Sequence, residues 1–381
     1  MPGTLAYLVR VRGAIMPEVP FPRLETVPKL ALTLSALAHP GNERDVGYTI
    51  INYNTATQTL RCVASLVECL EPPAWILILD NGSAESDFGQ LESGLSEARF
   101  SHIQLFRSDA NLGFAAGSNF LVDQLLCLQA CNYIGLLNND ALAMPEMIGV
   151  LRRPLDVTDS AVGMSGARMH KLDSPEEVDT LGIAMYASLM PADRKDISDP
   201  YLGPTGGCCM MTRCFVEDMK ATTGYLFDER FFCYCEDTDL ALRANLLGYR
   251  PAYVDQLAAL HEGQASSRTR ADRFIAYHGL RNSLWMHWKL IPTSILARHS
   301  PWLLLAHLLT IARHTLSGQP GVLFAIYRDA FGQLPALLAE RAKFRKTARV
   351  APSTLRQSIS SRFYRRGYAS FVFSEWLEKM L

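Results

Sequence analysis

The stretch VGYTIINYNTATQTLRCVASLVECLEPPAWILILDNGS, residues 46–83, decides the fold. It opens with a β-branched, apolar run and continues with apolar residues at helical spacing between Leu60 and Val67. It closes with a second apolar run that ends at Asp80. A strand, a helix and a second strand in this order predict a parallel βαβ unit. The same alternation continues through IQLFRSDANLGFAAGSN and YIGLLNND, so we predict an α/β domain with a mostly parallel sheet flanked by helices.

Polar residues stand at the carboxyl ends of four successive predicted strands. In open α/β sheets ligands bind at that edge, and Asp and Asn side chains can hydrogen-bond a base or a ribose. One such residue could equally cap the helix that follows it, whereas four strand ends in a row favour a nucleotide-binding edge. These residues are Asn52 and Asn54 after the first strand, Asp80 to Ser83 after the second, Asp109 and Asn111 after the third, and Asn138, Asn139 and Asp140 after the fourth.

Three other nucleotide-handling classes lack their sequence signals. NLGFAAGSN, residues 111–119, is not a G-x-G-x-x-G motif and follows the third strand, which disfavours a dinucleotide-dependent oxidoreductase. The sequence contains no Walker-type phosphate loop. A sugar nucleotidyltransferase would carry a glycine-rich, basic loop where NYNTATQTL stands, at residues 52–60.

The charges of the chain are unevenly distributed, although the formal net charge of its 381 residues is only −1. From Arg268 onward there are 18 Lys and Arg against 5 Asp and Glu, and the preceding part has 19 against 33. A basic tail suits an anionic partner such as the inner leaflet of a membrane, and we find no nucleic-acid-binding signature. We predict an extension of uncertain order over residues 1–45, a catalytic α/β domain over 46–292 and an amphipathic helical region over 293–381.

The predicted location is cytoplasmic. Arg10 and Arg12 interrupt the N-terminus before an apolar signal region can form, and the nine cysteines stand mostly in apolar surroundings that are typical of reduced thiols. The apolar run PWLLLAHLLTIA, from Pro301, is about a dozen residues long, short of the ~20 needed to span a bilayer. We therefore expect the tail to lie on the inner face of the plasma membrane; the alternatives are a helical cap and a homo-oligomer interface.

The stretch FFCYCEDTDLALRANLLGYR, residues 231–250, contains an acidic motif, EDTD. The residues before this motif, FFCYC, are predicted to be buried. The run of aromatic residues and cysteines predicts a rigid apolar wall, and Glu236 and Asp237 come directly after it at the start of a predicted helix. Asp239 and Arg243 are four residues apart on that helix, so we expect a supporting ion pair between them. The simpler alternative is that the acids only stabilise the positive end of the helix dipole.

Taken together, these motifs resemble the inverting family 2 glycosyltransferases of GT-A fold, and within them the bacterial rhamnosyltransferase-like branch. The resemblance covers residues 46–292 and includes TGGCCMMTR, LHEGQASS and YHGLRNSLW besides the motifs quoted above. It implies transfer of a sugar from a nucleotide-diphosphate donor, with dTDP-rhamnose as our first expectation and a UDP-sugar next. The implied acceptor is a glycan or a lipid-linked glycan of cell-surface polysaccharide synthesis.

The resemblance also implies roles for individual residues. Asp237 matches the general base, with Glu236 orienting it or contacting the acceptor. Asp140 and His261 match the ligands of a divalent cation, Mg²⁺ or Mn²⁺; Asn138 replaces the first acid of the family's metal motif, which leaves metal dependence open. The residues expected to bind the donor are Asn52, Asn54, Asp80, Asn111, Gly113, Asn139 and Gly207.

One alternative function stays open at this point. Because Asn138 removes an expected carboxylate, the chain could be a catalytically silent nucleotide-sugar-binding or scaffold protein of the same fold. Loss of turnover on replacing Asp237 would separate an enzyme from such a protein.

Overall fold

The computed structural model describes residues 45–97, 102–157, 159–263, 268–316 and 320–366. The predicted extension over residues 1–45 lies outside the described residues, except for Asp45. The strands are β1 (Val46–Asn52), β2 (Trp75–Asn81), β3 (Ile103–Ser108), β4 (Tyr133–Leu137), β5 (Ala141–Ala143), β6 (Met164–Lys171), β7 (Val178–Thr180), β8 (Ile183–Met185), β9 (Pro191–Asp193), β10 (Cys208–Thr212) and β11 (Ala252–His261).

Helices follow most of the strands and then take over the C-terminal part of the chain. A short 3-10 turn, Glu229–Phe231, precedes the helix that carries the acidic motif. The α-helices are α1 (Ala56–Val67), α2 (Glu85–Glu97), α3 (Gly113–Cys127), α4 (Met147–Arg152), α5 (Arg213–Thr223), α6 (Glu236–Leu246), α7 (Arg268–Lys289), α8 (Thr293–Leu316), α9 (Pro320–Gly332), α10 (Leu334–Thr347) and α11 (Pro352–Gln357).

The central sheet is mixed, with its parallel strands on the N-terminal side. Its order is β3-β2-β1-β4-β10-β6-β11-β5, and β7 pairs with β6. The first four strands are mutually parallel, β6 and β11 are parallel, and β10 and β5 run antiparallel to their neighbours. This arrangement confirms the predicted α/β class with helices flanking a mostly parallel sheet.

Alternate residues of each central strand enter different cores, as the two-residue period of a strand requires. In β2, Ile76 and Ile78 belong to the core that contains Leu66 of α1. Leu77 and Leu79 belong to the core on the other face. Each such buried side chain contributes roughly 1.5–3 kcal/mol, so the sheet is a rigid platform for the residues at its edge.

The C-terminal helices share a third core with the α/β part. This core joins Phe231 and Leu242, beside the acidic motif, to Trp285 of α7 and Leu337 of α10. The apolar tail helix α8 has 24 residues and is longer than its apolar run suggests. Among the described residues it is the one helix whose length and composition would allow it to cross a bilayer; α9 and α10 would do so only as a single broken span, bent by 49°.

Candidate active site

The carboxyl ends of β1, β2 and β4 meet at one edge of the sheet, as the sequence predicts. β1 pairs with β2 so that Asn52 lies beside Asp80, and β4 pairs with the other side of β1. The segment Asn138–Asp140 leaves the end of β4 at this same edge. Residues that are far apart in the sequence therefore form one polar rim.

The side chain of Asn52 connects the other polar side chains of this rim. Its side chain is fully buried, and its Nδ2 donates to Asp80 Oδ1 at 2.9 Å and to Asp87 Oδ2 at 2.9 Å. Its Oδ1 accepts from Thr59 Oγ1 at 2.7 Å. Because these bonds satisfy both ends of the amide, Asn52 orders the neighbouring side chains of the donor edge.

Asp80 lies beneath the rim with no exposed surface. Arg107 Nε is 3.5 Å from Asp80 Oδ2, on the side opposite Asn52. A buried carboxylate needs partners of this kind, so Asp80 holds Asn52 and Arg107 in place. Its direct contact with a nucleoside stays a prediction. Asn54, by contrast, is exposed and has a left-handed backbone, with φ of 55°.

Asn111 and Gly113 form the turn before α3. Asn111 Oδ1 accepts from Gly113 N at 2.8 Å and from Asn81 Nδ2 at 3.1 Å. Gly113 has φ of 79°, and a Cβ built on it would lie 2.5 Å from the carbonyl oxygen of Phe232. Only glycine permits this approach, which joins the donor edge to the segment before the acidic motif.

Asn139 and Gly207 complete the predicted donor residues. Asn139 Nδ2 donates to Thr55 Oγ1 at 2.6 Å and to Thr59 Oγ1 at 2.9 Å. Gly207 O accepts from Asn138 N at 2.9 Å, and a Cβ on Gly207 would lie 3.1 Å from Asn138 Nδ2. The backbone of Gly207 thus runs closely against the residue that replaces the first acid of the metal motif.

Asp140 and His261 are brought together although 120 residues separate them. His261 Nε2 is 3.2 Å from Asp140 Oδ1, and its Nδ1 is 2.8 Å from Asp179 Oδ2. Burial lowers the pKa of His261, but the hydrogen bonds to the two carboxylates outweigh it and raise that pKa to about 10. The imidazole is therefore positively charged at neutral pH in this arrangement.

The donor set fits a cation that is shared with a substrate. The two carboxylates bind opposite nitrogens of the His261 ring and cannot converge on one ion. Accordingly, the described residues contain no group of three or more His, Cys, Asp or Glu side chains placed to hold a metal. Asp140 nevertheless offers one carboxylate, and His261 offers a ring nitrogen at the same point once its Nε2 has lost its proton; Mg²⁺ commonly takes one or two carboxylates, waters and substrate phosphates.

Asp237 lies at the first turn of α6 and is partly open to solvent. Its Oδ2 accepts from Gly206 N at 3.1 Å, and its Oδ1 accepts from Thr238 N at 2.6 Å. Burial raises the pKa of Asp237, and these backbone donors oppose the rise. A carboxylate that is fixed from two sides and has a raised pKa is suited to accept a proton.

Glu236 differs from its neighbour. It is buried, and its Oε2 has no hydrogen-bond partner among the described residues. Burial, followed by the nearby charge of Asp237, raises the pKa of Glu236 well above its usual range. Burial and the neighbouring carboxylate both favour the protonated form of Glu236, so Asp237 is the more readily ionised of the two adjacent acids.

The ion pair predicted from the spacing of Asp239 and Arg243 is confirmed, with Arg243 Nε 2.7 Å from Asp239 Oδ2. Both side chains are almost fully buried. A third member of this cluster, Lys289 at the end of α7, was not predicted from the sequence. Its Nζ lies 2.5 Å from Asp239 Oδ1 and 2.7 Å from Asp228 Oδ2.

A cavity of about 540 Å³ is lined by residues that include Val178, Lys195 and Asp255. Lys195, which lines it, is 3.7 Å from Asp179, the second partner of His261. Its wall contains four cationic side chains and three carboxylates. The cations are Arg168, Lys195, Arg365 and Arg366, and the carboxylates are Asp196, Asp199 and Asp255.

Besides Lys289, two residues at the site were not identified from the sequence. Asp179 stands in the acidic run PEEVDT, residues 175–180, which reads as a solvated surface segment. Asn282 stands in YHGLRNSLW, a quoted motif to which no role was attached. The only sequence signal for Asn282 is its place between apolar residues of a helix, where a buried polar side chain needs hydrogen-bond partners.

The sequence matches the family described as Glycosyl transferase family 2 over residues 49–219. An N-acetylglucosaminyl-diphospho-decaprenol L-rhamnosyltransferase of Mycobacterium tuberculosis is 26% identical over 263 residues, which cover 60% of this chain and 80% of that protein. Rhamnosyltransferase WbbL of Escherichia coli strain K12 is 33% identical over 81 residues, or 21% of this chain and 29% of that protein. These matches confirm the resemblance found in the motifs.

Solved structures share the fold at low sequence identity. GalNAc-T7, crystallised with UDP, GalNAc and Mn²⁺, has a TM-score of 0.50 at 14% identity, covering 70% of this chain and 50% of that one. The mannosyltransferase PcManGT of Pyrobaculum calidifontis, in complex with GDP-Man and Mn²⁺, has a TM-score of 0.48 at 14% identity, covering 84% and 96%.

Proposed function

We propose that this chain, a glycosyltransferase of family 2, transfers a sugar from a nucleotide-diphosphate donor to a hydroxyl of a lipid-linked glycan with inversion at the anomeric carbon. The placement of Asp237 supports this proposal. Its carboxylate is bonded to Gly206, and the next residue, Gly207, is bonded to Asn138 at the donor edge. Gly206 and Gly207 therefore link a partly exposed base to the rim where the donor would bind.

In this mechanism Asp237 accepts the proton of the attacking acceptor hydroxyl. Inversion requires the base and the leaving diphosphate on opposite sides of the anomeric carbon. Gly206 and Gly207 present backbone alone between Asp237 and Asn138, which leaves space for the donor sugar. The pKa of Glu236 is raised well above its usual range and that of Asp237 less so, so Asp237 is the acid of this pair that ionises more readily and can serve as the base.

The donor edge around Asn52, Asn111 and Asn139 would hold the nucleotide. Asp140 and His261 would hold a divalent cation, Mg²⁺ or Mn²⁺, which when bound would neutralise charge on the departing diphosphate. The Mycobacterium tuberculosis relative is an L-rhamnosyltransferase, so dTDP-rhamnose is the first donor to test and a UDP-sugar the second.

The cavity beside Asp179 supports an anionic acceptor. The relative's acceptor, as its name states, carries a diphosphate on a decaprenol. In this chain Arg168, Lys195, Arg365 and Arg366 line a space that is large enough for a sugar and its phosphates. Their carboxylate pairs are partly exposed, for example Arg366 with Asp196 at 3.5 Å, and exposed pairs of this kind contribute little energy that a phosphate must displace.

The outer face of the C-terminal helices supports docking on the inner leaflet. A cluster of large apolar side chains is exposed there, which soluble surfaces rarely show. Between residues 293 and 347 there are seven Lys and Arg against two Asp and Glu, which favours anionic lipids. The exposed apolar residues are Trp302, Leu304, Leu305, Leu308, Leu309, Ile311, Leu316, Phe324, Phe331 and Leu338.

Activity and donor identity are tested together. The purified protein is titrated with dTDP-, UDP- and GDP-sugars, each with Mg²⁺, Mn²⁺ or EDTA, and turnover is followed with a polyprenyl-diphosphate-linked acceptor. We expect one donor to be used selectively, and Asp237→Asn to lower kcat by roughly 10²–10⁴-fold with donor binding unchanged. Donor binding without turnover in either protein would instead favour the silent binding protein.

Membrane docking is tested by flotation with vesicles of phosphatidylcholine alone or with 30% phosphatidylglycerol (roughly a bacterial share of anionic lipid). We expect binding to the anionic vesicles and its loss in Leu308→Glu. Leu70→Glu is the matched control, because Leu70 is also exposed but lies in the loop after α1. No flotation together with a concentration-dependent dimer would assign the apolar face to a homo-oligomer interface.

A further inference from the structure

The segment Phe231–Cys235, which leads into the acidic motif, has an unusual backbone. Phe232, Tyr234 and Cys235 have φ of 66°, 66° and 68°. These residues carry side chains, for which the left-handed region is disfavoured by contact between Cβ and the carbonyl oxygen. Such conformations persist only where the surrounding structure holds them, and they concentrate at functional sites.

The side chain of Asn282, in α7, contacts the backbone of this segment. The side chain is fully buried, and its Nδ2 lies within hydrogen-bond distance of three carbonyl oxygens, those of Phe231 at 2.9 Å, Cys233 at 2.9 Å and Tyr234 at 2.8 Å. Its two N–H groups are shared among these three acceptors. One amide group thus contacts three of the five residues in the segment.

The orientation of the Asn282 amide is itself fixed. Arg281 donates to Asn282 Oδ1 through Nε at 3.0 Å and through Nη2 at 2.9 Å. Because a guanidinium only donates, the oxygen of the amide must face Arg281 and its NH₂ group must face the segment. Arg281 Nη2 also lies 3.3 Å from Phe231 O.

The segment is held from the donor side as well. Ala115 N donates to Phe232 O at 3.1 Å, and that same carbonyl oxygen occupies the space where a side chain on Gly113 would be. The segment therefore lies between the start of α3, at the donor edge, and Asn282 of α7. Its last residue, Cys235, precedes the helix that carries Asp237.

We propose that Asn282 is a positioning residue, which keeps the left-handed segment Phe231–Cys235 closed against the donor edge and so fixes Asp237 for catalysis. This role rests on the proposed function of Asp237 as the base. Without the hydrogen bonds from Asn282 Nδ2 the segment relaxes toward ordinary backbone angles. The start of α6 then moves away from Gly206, and the base loses its fixed position.

The reactivity of two cysteines in the segment measures how often it opens, independently of enzyme activity. Cys233 and Cys235 are only partly accessible, whereas Cys127 and Cys214 are exposed and serve as internal references. Burial raises the pKa of the Cys233 thiol, which keeps it unreactive in the closed segment. Modification by a maleimide, followed site by site with mass spectrometry, measures how often the segment opens.

We expect Asn282→Ala to speed modification of Cys233 and Cys235 at least tenfold, with Cys127 and Cys214 unchanged. Ser283→Ala is the matched control, because Ser283 is the next residue, is buried and bonds only within α7 and to Met190. In the Asn282→Ala background Tyr234→Gly is expected to slow the modification again, since glycine adopts the left-handed region freely. Equal modification rates in wild type and Asn282→Ala would overturn the proposal.

Kinetics complete the test. We expect Asn282→Ala to lower kcat at least tenfold with donor KM within twofold, and Ser283→Ala to match wild type. Asn282→Ser, which keeps one donor, serves as a second variant if the alanine protein does not fold, and should fall between the two. Faster thiol modification with unchanged kcat would refute the link to catalysis. If Asp237→Asn remains active, the base assignment fails, while the thiol data still decide whether Asn282 holds the segment.

Discussion

Replacing Lys289 by Met tests whether buried charge holds the helix of the acidic motif in place. The Lys289 side chain is 2% exposed and lies 2.7 Å from Asp228 and 2.5 Å from Asp239. Methionine fills nearly the same volume without the charge, so both carboxylates lose a cation while packing is kept. Asp228 retains Arg230 at 2.6 Å, and Asp239 retains Arg243 at 2.7 Å.

The expected loss in the free energy of unfolding is about 3–5 kcal/mol, the usual effect of removing one partner of a buried ion pair. The remaining arginines place the effect toward the lower end of that range. At about 2 °C per kcal/mol for a chain of this size, the melting temperature should fall by roughly 6–10 °C. Lys343→Met is the matched control, because Lys343 is fully at the surface and its replacement should change stability by less than ~0.5 kcal/mol.

The dependence on pH identifies the cause of the loss. Burial alone would raise the pKa of Asp228, but Lys289 and Arg230 outweigh it and hold that pKa well below its usual range. A lowered carboxyl pKa stabilises the fold above the unfolded value of about 3.9, and this contribution disappears as the pH falls through the folded value. The deficit of Lys289→Met should therefore be complete from pH 6 to pH 8 and shrink below about pH 4.

Thermal unfolding followed by circular dichroism at pH 7 and at pH 3, below the pH at which the deficit begins to shrink, measures both effects. The double variant Lys289→Met with Asp228→Asn should recover part of the loss, because it removes the negative charge that the lost lysine leaves in excess, while Arg230 still pairs with Glu340 at 2.6 Å. A fall in melting temperature below 2 °C at pH 7 would refute the reasoning. So would a deficit of the same size at both pH values, since that would point to packing instead of charge.

Three further outcomes are expected. Glu236→Gln should leave kcat within about threefold, because burial favours the neutral form of this carboxyl group; a hundredfold loss would show that it ionises during turnover. Gly113→Ala should destabilise the protein by at least ~2 kcal/mol more than Gly224→Ala in urea unfolding. Both glycines have positive φ, but of the two only Gly113 has a carbonyl oxygen, that of Phe232, in the space that the new Cβ would occupy. Asn138→Asp should tighten Mn²⁺ binding by at least tenfold in calorimetry with bound nucleotide diphosphate, by restoring a hard oxygen ligand; unchanged affinity would place the cation away from residue 138.

The fold was predictable because each central strand is an apolar run that ends in polar residues. In β1 and β2 these runs are buried on both faces, and so they lack the alternation that would have allowed an antiparallel reading. The polar ends, Asn52 and Asp80, then fall beside each other through strand register alone. The antiparallel course of β10 was not predictable, because direction depends on the long connection before it and not on its own five residues.

The other residues of the site were not predictable, because the sequence pattern assigns polar side chains to the surface. Lys289 ends a helix, where a lysine is usually solvated, yet it is buried between two aspartates. Asp179 stands among exposed acids, and only the chain path of β7 brings it to His261. Asn282 binds backbone carbonyls some fifty residues earlier, and such partners leave no signal in either segment of the sequence.

The C-terminal region contacts the α/β part of the chain at several points. These contacts determine how membrane docking would affect the active site. Glu340 binds Arg230 at 2.6 Å, Arg349 binds Asp218 at 2.7 Å, and Ser360 donates to Asp199 at 2.9 Å. Contacts spread over this length fix the apolar face of α8 and α9 relative to Asp237, whereas a flexible linker would not. Docking would then orient the base toward a lipid-linked hydroxyl, so losing the apolar face should reduce turnover of the lipid-linked acceptor but not of a soluble analogue.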